Sequence, residues 1–207
     1  MSKKLLIGLS GKMFSGKDFV FSLFKELLGE GLKNYKLADT LKDMACVFIG
    51  CSRNDLEDVN YKNKPLDKTY WKFDNKGNVL RKTTPRDIMI IIGTNFGRDM
   101  INDNIWISTT LNKINKSSNS IITDVRFKNE ADSIKEAGGI IVRVNRPEHL
   151  RFEGKVKPEK EHYSETDLDK YDFDYVLNNS STKEFLKKQI IKILVNERID
   201  QESRAFL

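Results

Sequence analysis

The chain has 207 residues, and its 36 Lys+Arg against 30 Asp+Glu leave a formal net charge of +6. With 39% hydrophobic residues it can bury a core, so a single folded domain over 1–207 is expected and a disordered chain is excluded. Its longest apolar run, Ile88-Met89-Ile90-Ile91-Ile92, is far short of the ~20 residues of a membrane span, and Cys46 and Cys51 alone make neither a disulfide framework nor a zinc knuckle.

A reduced, cytoplasmic setting is therefore the expectation. Acids are interleaved with the bases, so nucleic acid is a disfavoured partner and a phosphate-binding site the better use of the lysines.

In chain order, residues 4–9 form a short apolar strand, too short for a signal peptide. A glycine-containing turn follows. Phe19, Val20, Leu23, Phe24, Leu27 and Leu28 then mark one face of a helix over 16–28, stopped by Gly29 and Gly31. Tyr35–Ala38 reads as a second strand, with Asp39 or Thr40 capping a helix to about Ile49. Residues 51–83 are polar and read as an insertion. Within them, Trp71-Lys72-Phe73 and Asn78-Val79-Leu80 flank Asp74-Asn75-Lys76-Gly77, the pattern of a β-hairpin. Thr84-Pro85 opens a helix carrying Ile88, Ile91 and Ile92.

Ser120–Asp124 is a buried type of strand, 127–137 a helix ended by Gly138-Gly139, and Ile140–Val144 another strand. Residues 146–170 are polar, carry both His149 and His162, and read as a loop or lid. Tyr175–Leu177 is a last strand and 181–196 a last helix. Strands alternating with helices predict an α/β fold, a parallel sheet with helices on both faces.

The chemistry is concentrated in Gly11-Lys12-Met13-Phe14-Ser15-Gly16-Lys17-Asp18, which fits G-x-x-x-x-G-K between a strand and a helix. The glycines let backbone N–H groups curl around phosphate oxygens, the helix offers its positive end, and Lys17 reaches the outer phosphates. This makes the fold of the P-loop NTPase type. Asp18 stands where Ser or Thr is usual. It can ligate Mg²⁺ directly, hold a metal-bound water, or cap the helix.

Other candidates each have a plainer reading beside them. Asp124 ends a strand on the ligand side of a parallel sheet, to position metal or substrate or to cap the next helix. Arg126 and Glu130, at i,i+4, share a helix face as site residues or as a surface ion pair. Arg86 and Arg98 suit phosphates or solvent, and Trp106 suits the core or a stacked base. The two histidines have no third ligand near them, no G-x-S-x-G elbow occurs, and the N-K-x-D pattern of GTPases is missing.

Together these blocks resemble the deoxynucleoside monophosphate kinases of bacteriophages and large DNA viruses, from Leu5 to about Leu194. The resemblance runs through the glycine loop with its Asp18, Leu37-Ala38-Asp39-Thr40-Leu41-Lys42, Thr84-Pro85-Arg86-Asp87, Ile92 to Asp99 with Trp106, and Thr123 to Ala131. Arg146-Pro147, His162-Tyr163-Ser164-Glu165 and Val176 to Asn179 follow in order. It implies transfer of the γ-phosphoryl group of ATP to a deoxynucleoside monophosphate, with Mg²⁺. Gly11 to Asp18 would then hold the ATP phosphates and the metal. Lys42, Arg86, Gly93, Arg98, Trp106, Asp124, Arg126 and Glu130 would face the acceptor, with Lys17, Asp124 and Arg126 catalytic. The family often has a basic residue where this chain has Met13; Lys12, or a lid arginine such as Arg143, Arg146 or Arg151, would replace it.

The partners implied are small nucleotides, with no membrane. A homodimer is allowed, as is the host-cell cytoplasm for a viral protein. Two rivals remain. Ser15 to Val20 with Asp124-x-Arg126 also resembles the animal-type phosphomevalonate kinases, although Gly93 to Trp106 favours the nucleotide enzyme. Tyr70, Trp71 and Phe73 beside Lys68, Lys72 and Arg81 would suit a non-catalytic, single-strand-binding P-loop protein.

Overall fold

Five short strands set the frame: β1 (Leu6–Ser10), β2 (Lys33–Tyr35), β5 (Ser120–Val125), β6 (Ile140–Asn145) and β7 (Tyr175–Asn178). They form one parallel sheet in the order β2-β5-β1-β6-β7, with β1 between its two longest partners. The computed structural model describes residues 4–115, 118–154, 157 and 163–197. These gather into two compact units, one from Met1–Lys36 and Thr110–Leu207, the other from Leu37–Thr109.

In the first unit, strand alternation decides the layers. Ile7, Leu9, Ile121, Val142, Val144 and Leu177 pack with Val20, Leu23 and Phe24 of α1 (Lys17–Leu28) and Leu186, Ile190, Ile193 and Leu194 of α8 (Lys183–Asn196). Helix α6 (Lys128–Glu136) contacts β1 and β6 through the other face. Its approach explains Gly8, where a Cβ would come within 2.7 Å of Ile141 Cδ1 and 2.9 Å of Ile134 Cδ1. The parallel sheet with helices on both faces is thus as expected.

One boundary differs. The second strand lies at Lys33–Tyr35, in register with Ser120–Ile122, and not at Tyr35–Ala38. Helix α2 (Ala38–Ile49) starts instead at the buried Leu37, with no side-chain cap from Asp39 or Thr40. Burial of one leucine, not a polar cap, fixes the helix start.

The second unit holds α2, a short helix α3 (Val59–Asn63), the hairpin β3 (Lys72–Phe73) and β4 (Val79–Arg81), and α4 (Pro85–Ile90). The hairpin occurs as predicted: Asp74 Oδ1 accepts the N–H groups of Lys76 and Asn78, and Gly77 supplies φ 82°. Every residue of its two strands is exposed. Thr84 and Asp87 form a reciprocal cap at the start of α4, with Pro85 in its first turn. The chain then widens into a π-helix, Ile91–Ile101, before α5 (Ile105–Lys113). The thiols of Cys46 and Cys51 form no disulfide, Cys51 Sγ donating to Cys46 Sγ at 4.0 Å, and burial with the neighbouring thiol raises the pKa of Cys46. Among the described residues no helix is long and apolar enough to cross a membrane.

Candidate functional site

The turn from β1 into α1 is built around two positions that admit no side chain. A Cβ at Gly11 would lie 2.5 Å from Ser15 Oγ and 2.7 Å from the Val144 carbonyl. Gly16 has φ 92°, and a Cβ there would meet Asn179 Nδ2 at 2.4 Å. That amide donates to the Ser15 carbonyl at 2.9 Å, tying the loop to the end of β7. Among the described residues, Phe14 is the one non-glycine at positive φ, 61°, with its ring edge-on to Phe152.

Lys17, the first residue of α1, folds back so that Nζ donates to the carbonyls of Gly11 at 2.5 Å and Lys12 at 3.2 Å. Burial lowers its pKa to about 8, the Arg126 charge adds to this, and Glu165 and Asp18 oppose it. A half-buried cation held by two neutral carbonyls lacks an anion. Ser15 Oγ is buried without a hydrogen-bond partner. A cramped glycine cradle, a half-satisfied ammonium and an orphaned hydroxyl all fit a phosphate.

Asp124 owes its setting to a bulge. Gly8 pairs with Ile122 but Ser10 with Val125, so Leu9 opposes both Thr123 and Asp124. Such a step re-aims a side chain, here beside the strand that feeds the loop. Asp18 is 85% exposed, with Lys36 Nζ at 3.7 Å.

Arg126 and Glu130 correct an expectation. Helix α6 begins at Lys128, so Arg126 precedes it and shares no helix face with Glu130. Glu130 is buried and accepts the backbone N–H groups of Arg126 at 2.8 Å and Phe127 at 3.0 Å. The carboxylate is thus a cap for the helix entrance, reaching backward as an acid three residues into a helix does. The Arg126 guanidinium instead pairs with Glu165, which also accepts the Met13 N–H at 2.6 Å.

Among the proposed lid arginines, Arg143 is corrected outright. It lies within β6, 8% exposed, donating to Ser10 Oγ at 3.1 Å and Asp169 at 2.9 Å, so it is a fixed part of the sheet. Arg151 ends the short helix α7 (Glu148–Arg151), is buried, and donates to the Met13 carbonyl at 3.3 Å. Lys12 pairs with Asp169 at 3.2 Å. Arg146 lines a cleft of about 330 Å³ with Lys12, Ser15, Asn178 and Ser180. His162 lies outside the described residues, as does much of 155–162.

The other assigned residues belong to the second unit. Trp106 is 5% exposed and its Nε1–H donates to the Gly93 carbonyl at 2.8 Å, which joins two of them. Trp106 is accordingly a packing residue with its polar atom already committed. Lys42 pairs with Glu57 at 2.5 Å, Arg86 Nε donates to Asn63 at 2.8 Å, and Arg98 donates to the Asp103 carbonyl at 3.4 Å. Lys62 belongs with them: burial lowers its pKa, Glu57 opposes this, and Lys42 and Arg86 lower it further. Three cations therefore share one field there. Sequence reasoning gave no role to Lys62, Glu165, Asp169 or Asn179; only Glu165 and Asn179 lay in recognisable blocks.

A strand, a glycine loop and a helix whose first lysine folds back into that loop, at the centre of a parallel sheet, define a P-loop phosphate-binding protein. The family model of deoxynucleotide monophosphate kinases matches residues 54–190. A protein assigned as a deoxynucleotide monophosphate kinase in Acanthamoeba polyphaga mimivirus is 31% identical over 210 residues, covering 93% of this chain and 97% of its own. The deoxynucleoside-5'-monophosphate kinase of Escherichia phage T5 is 24% identical over 180 residues, 64% of this chain and 72% of that one. Among solved structures, shikimate kinase from Aquifex aeolicus aligns with a TM-score of 0.47 at 15% identity, over 94% of this chain and 99% of that one. The chain belongs to the deoxynucleotide monophosphate kinase family, whose reaction is phosphoryl transfer to a deoxynucleoside monophosphate.

Proposed function

We propose that this kinase takes the γ-phosphoryl group from ATP, with Mg²⁺, and works in the cytoplasm, that of the host cell if the chain is viral. The observation that carries the reading is Lys17: a half-buried ammonium in a glycine cradle, beside the orphaned Ser15 hydroxyl. Gly11 to Lys17 would hold the donor phosphates. The cleft lined by Asn178, Ser180, Arg146 and Pro147 adjoins the loop and offers room for the donor nucleoside.

Asp18 and Asp124 are the carboxylates that would hold Mg²⁺, directly or through water, since this ion takes few protein ligands beside phosphates. When bound, it neutralises charge on the phosphates. Lys17 and Arg126 would stabilise the transferring group, which asks for positioning and charge more than covalent help. Lys42, Arg86 and Arg98 would bind the acceptor, with Trp106 and Gly93 keeping the helices that carry them in place. The 146–170 segment would exclude water from the transfer.

The test is release of ADP from ATP and Mg²⁺ with each deoxynucleoside monophosphate in turn, beside phosphomevalonate and a sample with no acceptor. ADP dependent on one or more nucleotides is expected. ADP with phosphomevalonate alone would overturn the acceptor. No ADP in any sample, with salt-sensitive oligonucleotide binding, would overturn the donor reading.

A further inference from the structure

Glu165 has no part in the assignments above. It ends a short helical turn, Tyr163–Glu165, in the otherwise polar 146–170 segment, yet its side chain is only 7% exposed. A carboxylate is not buried without cost unless donors meet it. Here Oε2 takes the Met13 N–H of the phosphate loop at 2.6 Å, and Oε1 takes a guanidinium N–H of Arg126. Burial opposes its ionisation, but Arg126, the Met13 N–H and the Lys17 charge prevail and keep its pKa below the ordinary value. Arg126 is itself anchored at its backbone by Glu130 and remains 39% exposed at its side chain.

We propose that Glu165 is the positioning residue that holds Arg126 in register with the phosphate loop during phosphoryl transfer. The inference rests on the kinase reading of this site. A long arginine side chain stabilises a transferring group only when its fork is already aimed. A carboxylate gripping one edge of that fork leaves the other N–H donors for phosphate oxygens. The same carboxylate grips the loop that would hold the donor. Loop and arginine therefore share one reference point.

The test compares native enzyme with Glu165→Gln, Arg126→Ala and the double variant, each checked by thermal melting. Glu165→Gln keeps the shape but loses the charge. It is expected to lower kcat about 10- to 100-fold, the scale of a misplaced catalytic group. KM for ATP should stay within about threefold, because a group needed only in the transition state moves kcat and not ground-state binding. The double variant should be no slower than Arg126→Ala alone, since residues acting as a unit are not additive. A Glu165→Gln kcat within about twofold of native, or losses that multiply in the double variant, would overturn the proposal. If the Gln variant fails to fold, Glu165→Asp, charged but too short to span both partners, takes its place, and a native kcat there overturns it equally. A readout free of turnover separates the proposal from the kinase reading. The Arg126 guanidinium N–H resonances should be protected in the native protein and lost in Glu165→Gln; unchanged resonances refute the clamp even if no nucleotide proves to be an acceptor.

Discussion

Lys17 is held at odds with itself: a cation where burial penalises charge, stabilised by two carbonyls that cannot neutralise it. Replacing it by Ala removes a donor aimed at developing charge, which costs about 10²–10³-fold in kcat. The fold should not suffer, because the lost group was a poorly compensated ion; a melting temperature at pH 7 no lower than native, with kcat down by that factor, is the expected pair. The same tension sets a pH dependence. With the folded pKa near 8 against the ordinary 10.5, free enzyme loses its ammonium as pH rises through 8. Thus kcat/KM for ATP should fall above about pH 8, while kcat holds to higher pH, since bound phosphate favours the charged form. For stability the sign is opposite. Between 8 and 10.5 the unfolded chain binds the extra proton, so this residue's penalty on folding fades as pH rises across that window. Steady-state kinetics and denaturant melts across pH 7–10 check both.

At the level of elements, the π-helix shows how a packed neighbour dictates a glycine. A Cβ at Gly97 would lie 2.4, 2.7 and 2.9 Å from three atoms of the Trp106 indole. Gly97→Ala should therefore destabilise the second unit by about 1–3 kcal/mol, the cost of overpacking, read from urea unfolding. The sequence carried much of the architecture, and the reasons for success and failure are local. The β1–loop–α1 passage was legible because a short apolar run gives way to helical spacing of apolar residues across a glycine motif that sterics demand. The hairpin was legible because Asp74 to Gly77 is a turn by its own side-chain chemistry. The second strand was misread because Leu37 and Ala38 are apolar and only the register with Ser120–Ile122 separates strand from helix. Arg126 and Glu130 were read as a pair by spacing, yet the helix begins only at Lys128, between them. Glu165 and Asp169 had no readable role, since their partners at Met13, Arg126, Lys12 and Arg143 are distant in sequence.

For the whole molecule, the proposed donor and acceptor residues divide between the two units. The parts assigned to ATP all lie in the first unit, Met1–Lys36 with Thr110–Leu207. A ligand that binds the folded state alone stabilises it by mass action, by about 2.7 kcal/mol at a hundred times its Kd. Scanning calorimetry with Mg²⁺ and ATP should show a concentration-dependent rise in melting temperature, absent with Lys17→Ala.

The sheet order has a consequence for the way the chain is made. Strand β1 leaves the ribosome well before its neighbours β5 and β6, which start at Ser120 and Ile140, more than a hundred residues downstream. Leu37–Thr109, by contrast, is continuous and has its own buried leucine, isoleucine and tryptophan side chains in hand much sooner. The phosphate loop is thus translated before the strands that shape it, with Leu5, Ile7 and Leu9 left uncovered until Ser120 and Ile140 follow. Long-range parallel pairing of this kind is slow and exposes sticky surface while it waits. A nascent chain stalled before Ser120 would carry the loop's complete sequence and have no strand on either side of β1 to form it against.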